Sequence, residues 1–292
     1  MNIQWYPGHM TKTRRQMEQD IRMVDAVCEI LDARIPLSSR NPDIDAICGD
    51  KPRLVVLNRI DMADPEATKA WAEWFRAKGF AVLETDCKNR KGTNRFGAVI
   101  RELLQDKIQK YAEKGQTGKT LRVMVVGIPN VGKSSLINQV SGRKSARAEN
   151  RPGVTRGRQW ITVERGLELL DTPGILWPKF EDQQVGIHLA CTGAVKENVV
   201  DAETLAFRLM ELLGREYPAA LEERYKITVP EEAGGWELLE RCGRKRGMLI
   251  SGGEVDLERM SRTLLEEFRN GKLGRFTLEK PHGKEETPHE EA

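Results

Sequence analysis

The segment Val123-Met-Val-Val-Gly-Ile-Pro-Asn-Val-Gly-Lys-Ser-Ser135 decides the fold that this sequence predicts. Its first four residues are apolar and predict a short strand, and the run GIPNVGKS follows at residues 127–134. Leu136 and Ile137 then open an apolar helical pattern. A strand, a glycine loop and a helix in this order are the context of a P-loop. A glycine-rich turn without a ligand is the alternative, and the flanking strand and helix argue against it.

The residue types of this loop suit the binding of nucleotide phosphates. Glycines let backbone N–H groups close around the phosphates, and the helix N-terminus adds its dipole. We expect Lys133 to reach the β- and γ-phosphates as a catalytic residue, and the Ser134 hydroxyl to hold magnesium. The nucleotide-binding residues predicted in this segment are Asn130, Val131, Gly132, Lys133, Ser134 and Ser135.

The composition is that of a soluble globular protein. The 292 residues are 39% hydrophobic and 31% charged, with a net charge of +3. No apolar run reaches membrane-spanning length, and the N-terminus has no signal-peptide core. The five cysteines are scattered, without a close pair suited to zinc or redox chemistry. These features predict a cytoplasmic protein with free thiols, and any nucleic-acid surface must be local.

Strand patterns alternate with helical patterns over the first part of the chain. Apolar runs at 26–31, 54–57 and 80–83 precede the P-loop strand, and two short strands follow it at 160–163 and 167–170. This alternation predicts an α/β fold whose mostly parallel sheet has helices on both faces. One long amphipathic helix is expected over residues 94–113.

Strand signals fade from about residue 183. Apolar residues then recur at helical spacing in 201–213, 236–242 and 257–268. We therefore predict a nucleotide-binding domain at 1–180, an all-helical domain at 181–280, and a disordered polar tail at 281–292.

The sequence Asp171-Thr-Pro-Gly174 lies at a predicted strand end downstream of the P-loop. In that position Asp171 can hold the magnesium shell through water, and the Gly174 N–H can meet a γ-phosphate. Thr155 lies in the intervening basic loop, where a threonine would complete the magnesium site. A solvated loop threonine is the alternative for Thr155.

The sequence Asn58-Arg-Ile-Asp61 resembles the guanine-recognition pattern Asn-Lys-x-Asp. The Asp61 carboxylate can accept hydrogen bonds from both the ring N–H and the exocyclic amine of guanine, a donor pair that adenine lacks. Asn58 would bind the purine edge, and the flat guanidinium of Arg59 can lie over the base. A capped turn is the alternative. Asp86-Cys87-Lys88 matches the loose Ser-Ala-Lys pattern that supports the base, although Asp86 departs from serine.

The order of these motifs is unusual. An ordinary GTPase has the P-loop first, then Asp-x-x-Gly, and base recognition last, whereas base recognition here precedes the P-loop. A circular permutation accounts for this order, because a sheet tolerates it when the old termini lie close together.

The chain resembles the ribosome biogenesis GTPase A family, circularly permuted GTPases that mature the large ribosomal subunit. The resemblance is carried by WYPGHM (5–10), DARIPLSSRNP (32–42), NRID, GIPNVGKSS, RPGVTR (151–156), DTPGIL (171–176) and TGAVKENVVDAE (192–203). It implies a monomeric GTPase that binds a late precursor of the 50S subunit and its rRNA, and is released on hydrolysis. Membrane contact is not expected.

The resemblance also suggests how water is activated. Ordinary switches place a glutamine after Asp-x-x-Gly, but Ile175 and Leu176 stand here and neither binds water. His9, near the switch in the permuted topology, is the candidate catalytic group, with a structural or solvated histidine as the alternative. Asn130 matches the asparagine that helps bind potassium in related GTPases, with a loop-shaping asparagine as the alternative.

The densest basic run contains the candidate RNA-binding residues Arg241, Arg244, Lys245 and Arg246. A solvated charged face is the alternative, because the region is also rich in glutamate. Two other functions remain open for the whole chain. A P-loop kinase is disfavoured by the guanine-recognition motif, and a non-catalytic guanine-nucleotide module is supported only by the missing glutamine.

Overall fold

The computed structural model describes residues 9–142, 159–174, 176, 182–195 and 201–281, and gives only the backbone for 9–13. The described residues form a six-stranded sheet in the order β3-β2-β1-β4-β6-β5. The strands are β1 (Ala26–Asp32), β2 (Arg53–Asn58), β3 (Ala81–Thr85), β4 (Leu121–Val126), β5 (Gln159–Glu164) and β6 (Leu167–Asp171).

The strand order confirms the predicted fold class. Strand β4, which leads into the P-loop, lies between β1 and β6, and these neighbours are parallel to it. Strands β2 and β3 continue the parallel sheet beyond β1, and β5 pairs antiparallel with β6 at the other edge. The strands that precede the P-loop therefore lie on one side of β4 and those that follow it lie on the other. The β1 residues are all buried, as expected for a strand covered on both faces.

Helices cover the sheet and form the C-terminal part of the described chain. They are α1 (His9–Asp20), α2 (Asp43–Cys48), α3 (Pro65–Ala77), α4 (Phe96–Leu103), α5 (Gln105–Glu113), α6 (Lys133–Ser141), α7 (Gln183–Cys191), α8 (Ala202–Glu216), α9 (Pro218–Tyr225), α10 (Gly235–Lys245) and α11 (Leu257–Arg269). Among all the residues that the structure describes, no helix is both long and apolar enough to cross a membrane.

The single long helix predicted over 94–113 is wrong. A short 3-10 turn precedes α4, and the backbone leaves helical geometry at Leu104, where φ is −106° and ψ is 17°. Helix α4 buries Phe96 and Ile100, whereas α5 buries no residue. The break therefore separates a segment that packs on the core from one that stays on the surface.

Helices α7–α11, here called the helical region, share one apolar core with the sheet. That cluster joins β4 residues such as Val123 to α8 and α11 residues such as Leu209 and Leu264. The chain then returns to the sheet in residues 275–279, here called the C-terminal strap. Within it, the Leu278 N–H donates to the Arg34 carbonyl at 2.7 Å. The boundary at 180/181 stays a prediction, and residues 282–292 of the predicted tail lie outside the described residues.

Candidate nucleotide-binding site

The P-loop connects β4 to α6 through backbone conformations that require glycine. Gly132 is the N-cap of α6 with φ of 107°. A Cβ atom at this position would lie 2.3 Å from the Asn58 side-chain nitrogen, so any other residue would collide there. The loop therefore packs directly on the end of β2, where the predicted base-recognition motif begins.

Lys133 follows Gly132 and is buried. Its ammonium group donates hydrogen bonds to the carbonyl oxygens of Gly127 at 3.0 Å and Ile128 at 2.8 Å. Burial lowers the pKa of Lys133 to about 8, and the negative charge of Asp171 opposes that shift. A cation held in this way within a glycine loop is placed to receive phosphate oxygens.

Asp171 ends β6 and is buried beside the P-loop lysine. Burial raises its pKa to about 6, against the effects of Lys133 and of the Thr172 N–H. Its Oδ1 atom has no hydrogen-bond partner among the described residues. A buried carboxylate oxygen that lacks a partner fits the predicted role of accepting a hydrogen bond from the water shell of magnesium.

Two contacts hold this strand end against β4 and the P-loop. The Thr172 hydroxyl donates to the Val125 carbonyl at 2.6 Å. A Cβ atom on Gly174 would lie 2.8 Å from both the Lys133 ammonium and the Pro129 nitrogen. The Gly174 backbone is thus in contact with the P-loop, as its predicted γ-phosphate contact requires.

The structure describes only some of the other residues predicted to act at the phosphates. Ser134 lies in the first turn of α6. Thr155 and Ile175 lie outside the described residues, and so does the side chain of His9, the residue at which α1 begins. Leu176 is fully buried.

Asn58 joins the predicted base site to the P-loop. Its side-chain nitrogen donates to the Val131 carbonyl at 2.9 Å, and its side-chain oxygen accepts from the Thr85 hydroxyl at 3.1 Å. The Cys87 N–H also donates to that oxygen at 3.4 Å. Both ends of the amide therefore have protein partners, and Asn58 fixes the loops on either side of it.

Arg59 extends from β2 towards the same loop. Its guanidinium donates to the Asn130 carbonyl at 2.6 Å and lies 3.7 Å from the Asp32 carboxylate. Asp32 also forms a two-point contact with Arg34, at 2.7 Å and 3.0 Å. Asp32 and Arg34 belong to the DARIPLSSRNP motif, and the structure gives them a role in positioning Arg59.

Asp61 is half-buried at the edge of the cavity. Its pKa is raised by burial and by the like charge of Asp86. Asp86 shapes the neighbouring turn, because its carboxylate accepts hydrogen bonds from the Lys88 N–H at 2.9 Å and the Asn89 N–H at 3.0 Å. In this chain a carboxylate performs the turn-holding task at the place where the loose pattern has serine.

A cavity of about 2000 Å³ brings these residues together. Its wall contains Asn58, Arg59, Asp61, Asp86, Cys87, Lys88, Asn130, Gly132 and Ser135. The lining also includes residues in or beside the helices of the helical region, such as Asp201, Arg262 and Asn270. The site predicted to bind the nucleotide thus lies between the sheet and the helical region.

Asn130 makes direct contact across this cavity. Its side-chain nitrogen donates to the Gly193 carbonyl at 2.7 Å, just beyond α7. Arg269 at the end of α11 donates to the carbonyls of Ala190 at 2.9 Å and Cys191 at 3.1 Å, which fixes the same turn. No local sequence signal indicated this contact.

The predicted basic run is largely paired with glutamates. Arg241 and Arg244 form ion pairs one turn apart with Glu237 and Glu240, at 2.6 Å and 2.7 Å. Arg246 binds the buried carboxylate of Glu267 at 3.0 Å. Lys245 is exposed and makes no ion pair within the part of the chain that is described.

His188, outside the predicted site, has a structural role. Its Nδ1 lies 2.9 Å from the Ser38 hydroxyl and 3.1 Å from the Glu279 carboxylate, and its Nε2 lies 2.9 Å from Gln184. The five cysteines are free, as predicted, and all five are buried.

Known proteins with similar sequences and structures connect this geometry to a biological process. A family model described as "50S ribosome-binding GTPase" matches residues 122–216. The protein named "Ribosome biogenesis GTPase A" from Bacillus cereus is 46% identical over 282 residues, which cover 96% of this chain and 95% of that protein. The structure of GNP-bound YlqF from Thermotoga maritima superposes with a TM-score of 0.64 at 30% identity, covering 92% of this chain and 98% of that one. A GDP-bound YlqF structure gives a TM-score of 0.66 at 29% identity, covering 91% and 99%.

Proposed function

Because the chain belongs to the ribosome biogenesis GTPase A family and is a GTPase of ribosome assembly, we propose that it binds a late precursor of the large subunit. In this proposal GTP hydrolysis releases the protein from the precursor. The supporting observation is the cavity, whose lining combines nucleotide-site residues with residues of the helical region. An event at the γ-phosphate can therefore reach the part of the chain proposed to contact the subunit.

In this proposal, different residues of the site bind the base, the phosphates and the magnesium ion. Asp61 reads the guanine edge, Arg59 lies beside the base, and the turn at Asp86, Cys87 and Lys88 supports it. Lys133 and the P-loop N–H groups, from Asn130 through Ser135, bind the phosphates. Magnesium would be held by Ser134 and Thr155 directly and by Asp171 through water, and would neutralise charge that develops on the β- and γ-phosphates.

Hydrolysis needs a group that orients the attacking water. Leu176 is buried and apolar, so it cannot serve. We assign this role to His9, at the start of α1. Asn130 is the proposed potassium ligand, and its bond to the Gly193 carbonyl fixes the rotation of the side chain. A potassium ion there would stabilise negative charge in the transition state.

Docking is assigned to the exposed cations of α10 and the turn after it. Arg241, Arg244 and Lys245 are proposed to contact rRNA phosphates, with Arg246 beside them. The exposed ion pairs of Arg241 and Arg244 contribute little to stability, so a phosphate can replace the glutamate partner at small cost. In this proposal the protein acts as a monomer in the cytoplasm.

The test is GTP turnover by the full chain with and without large ribosomal subunits. We expect slow hydrolysis alone and stimulation by precursor subunits, together with cosedimentation that is stronger with a non-hydrolysable GTP analogue than with GDP. Equal turnover with and without subunits, combined with nucleotide-independent sedimentation, would contradict the proposal.

A further inference from the structure

Arg275, in the C-terminal strap, spans the loop that carries Asp61. Its Nη2 donates to the Ile60 carbonyl at 2.8 Å and its Nε donates to the Ala63 carbonyl at 2.9 Å. These carbonyls flank the residue proposed to read guanine. One guanidinium thus bridges the two ends of the Asp61 loop, although it lies 215 positions from Ile60 in sequence.

The residues after Arg275 add further bonds to the same loop. The Phe276 N–H donates to the Met62 carbonyl at 2.9 Å. The Thr277 hydroxyl accepts from the Asp64 N–H at 3.2 Å and donates to the Ala33 carbonyl at 3.1 Å. Three consecutive strap residues therefore bind the loop on both sides of Asp61.

The sheet provides fewer contacts to this loop. The Ile60 N–H donates to the Thr85 carbonyl at 3.3 Å, and the Met62 N–H donates to the Arg59 carbonyl at 2.9 Å within the loop itself. The like-charged Asp86 also lies near Asp61 and repels it. A backbone hydrogen bond and the charges of Lys88 and Arg59 oppose that repulsion at the carboxylate itself. Without the strap, the backbone of the loop would be held by few hydrogen bonds.

A carboxylate that accepts two hydrogen bonds from one base edge must be held closely, because misplacement weakens both bonds together. We propose that Arg275 is a positioning residue for guanine recognition: it fixes the Asp61 loop and thereby sets how strictly the site selects guanine. This inference rests on the proposed base-reading role of Asp61. Arg275 itself does not touch the nucleotide.

The shape of the Arg275 guanidinium predicts that lysine cannot replace it. A guanidinium presents several N–H donors in a rigid plane, whereas a lysine has one compact ammonium group. Arg275→Lys keeps the charge and most of the side-chain length but cannot bridge the Ile60 and Ala63 carbonyls in the same way. A role based only on positive charge would be preserved in this variant.

The experiment compares the affinities of full-length Arg275→Ala and Arg275→Lys for GTP and ITP, which lacks the exocyclic amine that Asp61 reads. We expect about tenfold weaker GTP binding in both variants, and a GTP/ITP affinity ratio that falls towards one. Competition by inorganic tripolyphosphate should be unchanged, because the P-loop is intact. In turnover assays, KM for GTP should rise while kcat is retained.

Lys272→Ala, an exposed residue near Arg275, is the matched control and should keep the wild-type ratio. Thermal unfolding identifies a variant that fails to fold, and the milder Arg275→Lys then decides the question. A folded Arg275→Lys protein with the wild-type GTP/ITP ratio would overturn the proposal. Asp61→Asn tests the base-reading role of Asp61 separately from the positioning role of Arg275. If Asp61→Asn also keeps the wild-type GTP/ITP ratio, the base-reading assignment fails, and the inference about Arg275 fails with it.

Discussion

The side-chain nitrogen of Asn130 donates a hydrogen bond to the Gly193 carbonyl at 2.7 Å, which joins the P-loop to the helical region. The Asn130 carbonyl accepts a second bond, at 2.6 Å, from Arg59 of the predicted base-recognition motif. One P-loop residue is therefore bonded to both the base side of the site and the helical region. A shift at either neighbour changes the position of Asn130.

The first prediction separates the two proposed tasks of Asn130. Its φ of 60° is left-handed, so Asn130→Gly removes the side chain without backbone strain. Asn130→Asp retains an oxygen that can bind potassium but loses the donor to Gly193. If potassium binding dominates, turnover should remain potassium-dependent in Asn130→Asp and lose that dependence in Asn130→Gly. Turnover in potassium and sodium chloride measures this.

If the bond to Gly193 dominates, both variants should weaken GTP binding equally. If turnover by Asn130→Gly depends on potassium as strongly as turnover by wild type, Asn130 is not a potassium ligand.

The second prediction concerns the phosphate contacts. Lys133→Ala and Ser134→Ala should each weaken binding of magnesium-GTP by roughly 10- to 100-fold, because each removes a contact to phosphate or to the metal. Titration with a fluorescent GTP analogue measures the change. Removal of magnesium with a chelator should weaken GTP binding by wild type more than GTP binding by Ser134→Ala. Normal binding by both variants would show that the phosphate assignment is wrong.

The third prediction concerns the basic run. Replacing Arg241, Arg244 and Lys245 with alanine should weaken binding to large subunits and reduce its salt dependence, without a change in turnover of the isolated protein. Arg246 is kept because it binds the buried Glu267.

The matched control for this triple variant replaces three cations elsewhere in the helical region and after α11, namely Arg208, Arg215 and Lys272. It removes the same charge from a different surface. An identical salt slope for the two triple variants in sedimentation assays would mean that the basic run is a solvated face.

The fourth prediction concerns His9. His9→Ala should bind GTP nearly as well as wild type but lose most of the subunit-stimulated rate, about 10²- to 10⁴-fold. The variant should also remain on the subunit, because release follows hydrolysis. Arg15→Ala, at an exposed position of the same helix, is the control. Full stimulation of His9→Ala would assign the catalytic group to the ribosome or to potassium.

The fifth prediction is a pH dependence of stability. Burial alone would raise the pKa of Glu267, but hydrogen bonds from Arg224 and Tyr225 and the charge of Arg246 outweigh it, so the pKa is lowered. A lowered pKa means that this stabilisation is complete above the ordinary value near 4.5 and is lost as the pH falls through the folded pKa.

Glu267→Gln should therefore destabilise the protein by about 3 kcal/mol at neutral pH, near the low end for a broken buried ion pair. The difference from wild type should shrink as the pH falls from the ordinary value near 4.5 through the lower folded pKa of Glu267. Thermal unfolding across this range measures it. A difference that stays constant with pH would show that the charge of Glu267 contributes nothing.

The sheet was predictable because each strand is marked by local sequence. Strand β4 extends over Leu121–Val126 where residues 123–126 were predicted, and the strand order agrees with the inferred permutation. Elements without a strong periodic pattern were missed, including the six-residue α2, and α7 with its internal Gly186. The break at Leu104 was also missed, because apolar spacing continues across it.

The predicted nucleotide-site residues with described side chains line one cavity or lie in or against the P-loop. They could be predicted because a phosphate-binding loop needs particular residue types at fixed spacing. The contacts of Asn130 with Gly193 and of Arg275 with Ile60 could not be predicted in the same way. Each joins segments far apart in sequence, through backbone carbonyls that every residue type possesses. Only the folded chain shows which carbonyl a side chain meets.

The separation of Arg275 from the loop it holds has a consequence for synthesis. A ribosome that makes this chain completes Ile60 215 residues before Arg275. At about 5–20 residues per second, that interval is roughly 10–40 s. During it, the nascent chain adds β3–β6 and the P-loop to β1 and β2, while the Asp61 loop lacks its strap. Phosphate binding can thus precede guanine selection on the growing polypeptide, and a chain interrupted after α11 would carry a P-loop beside an unsupported base loop.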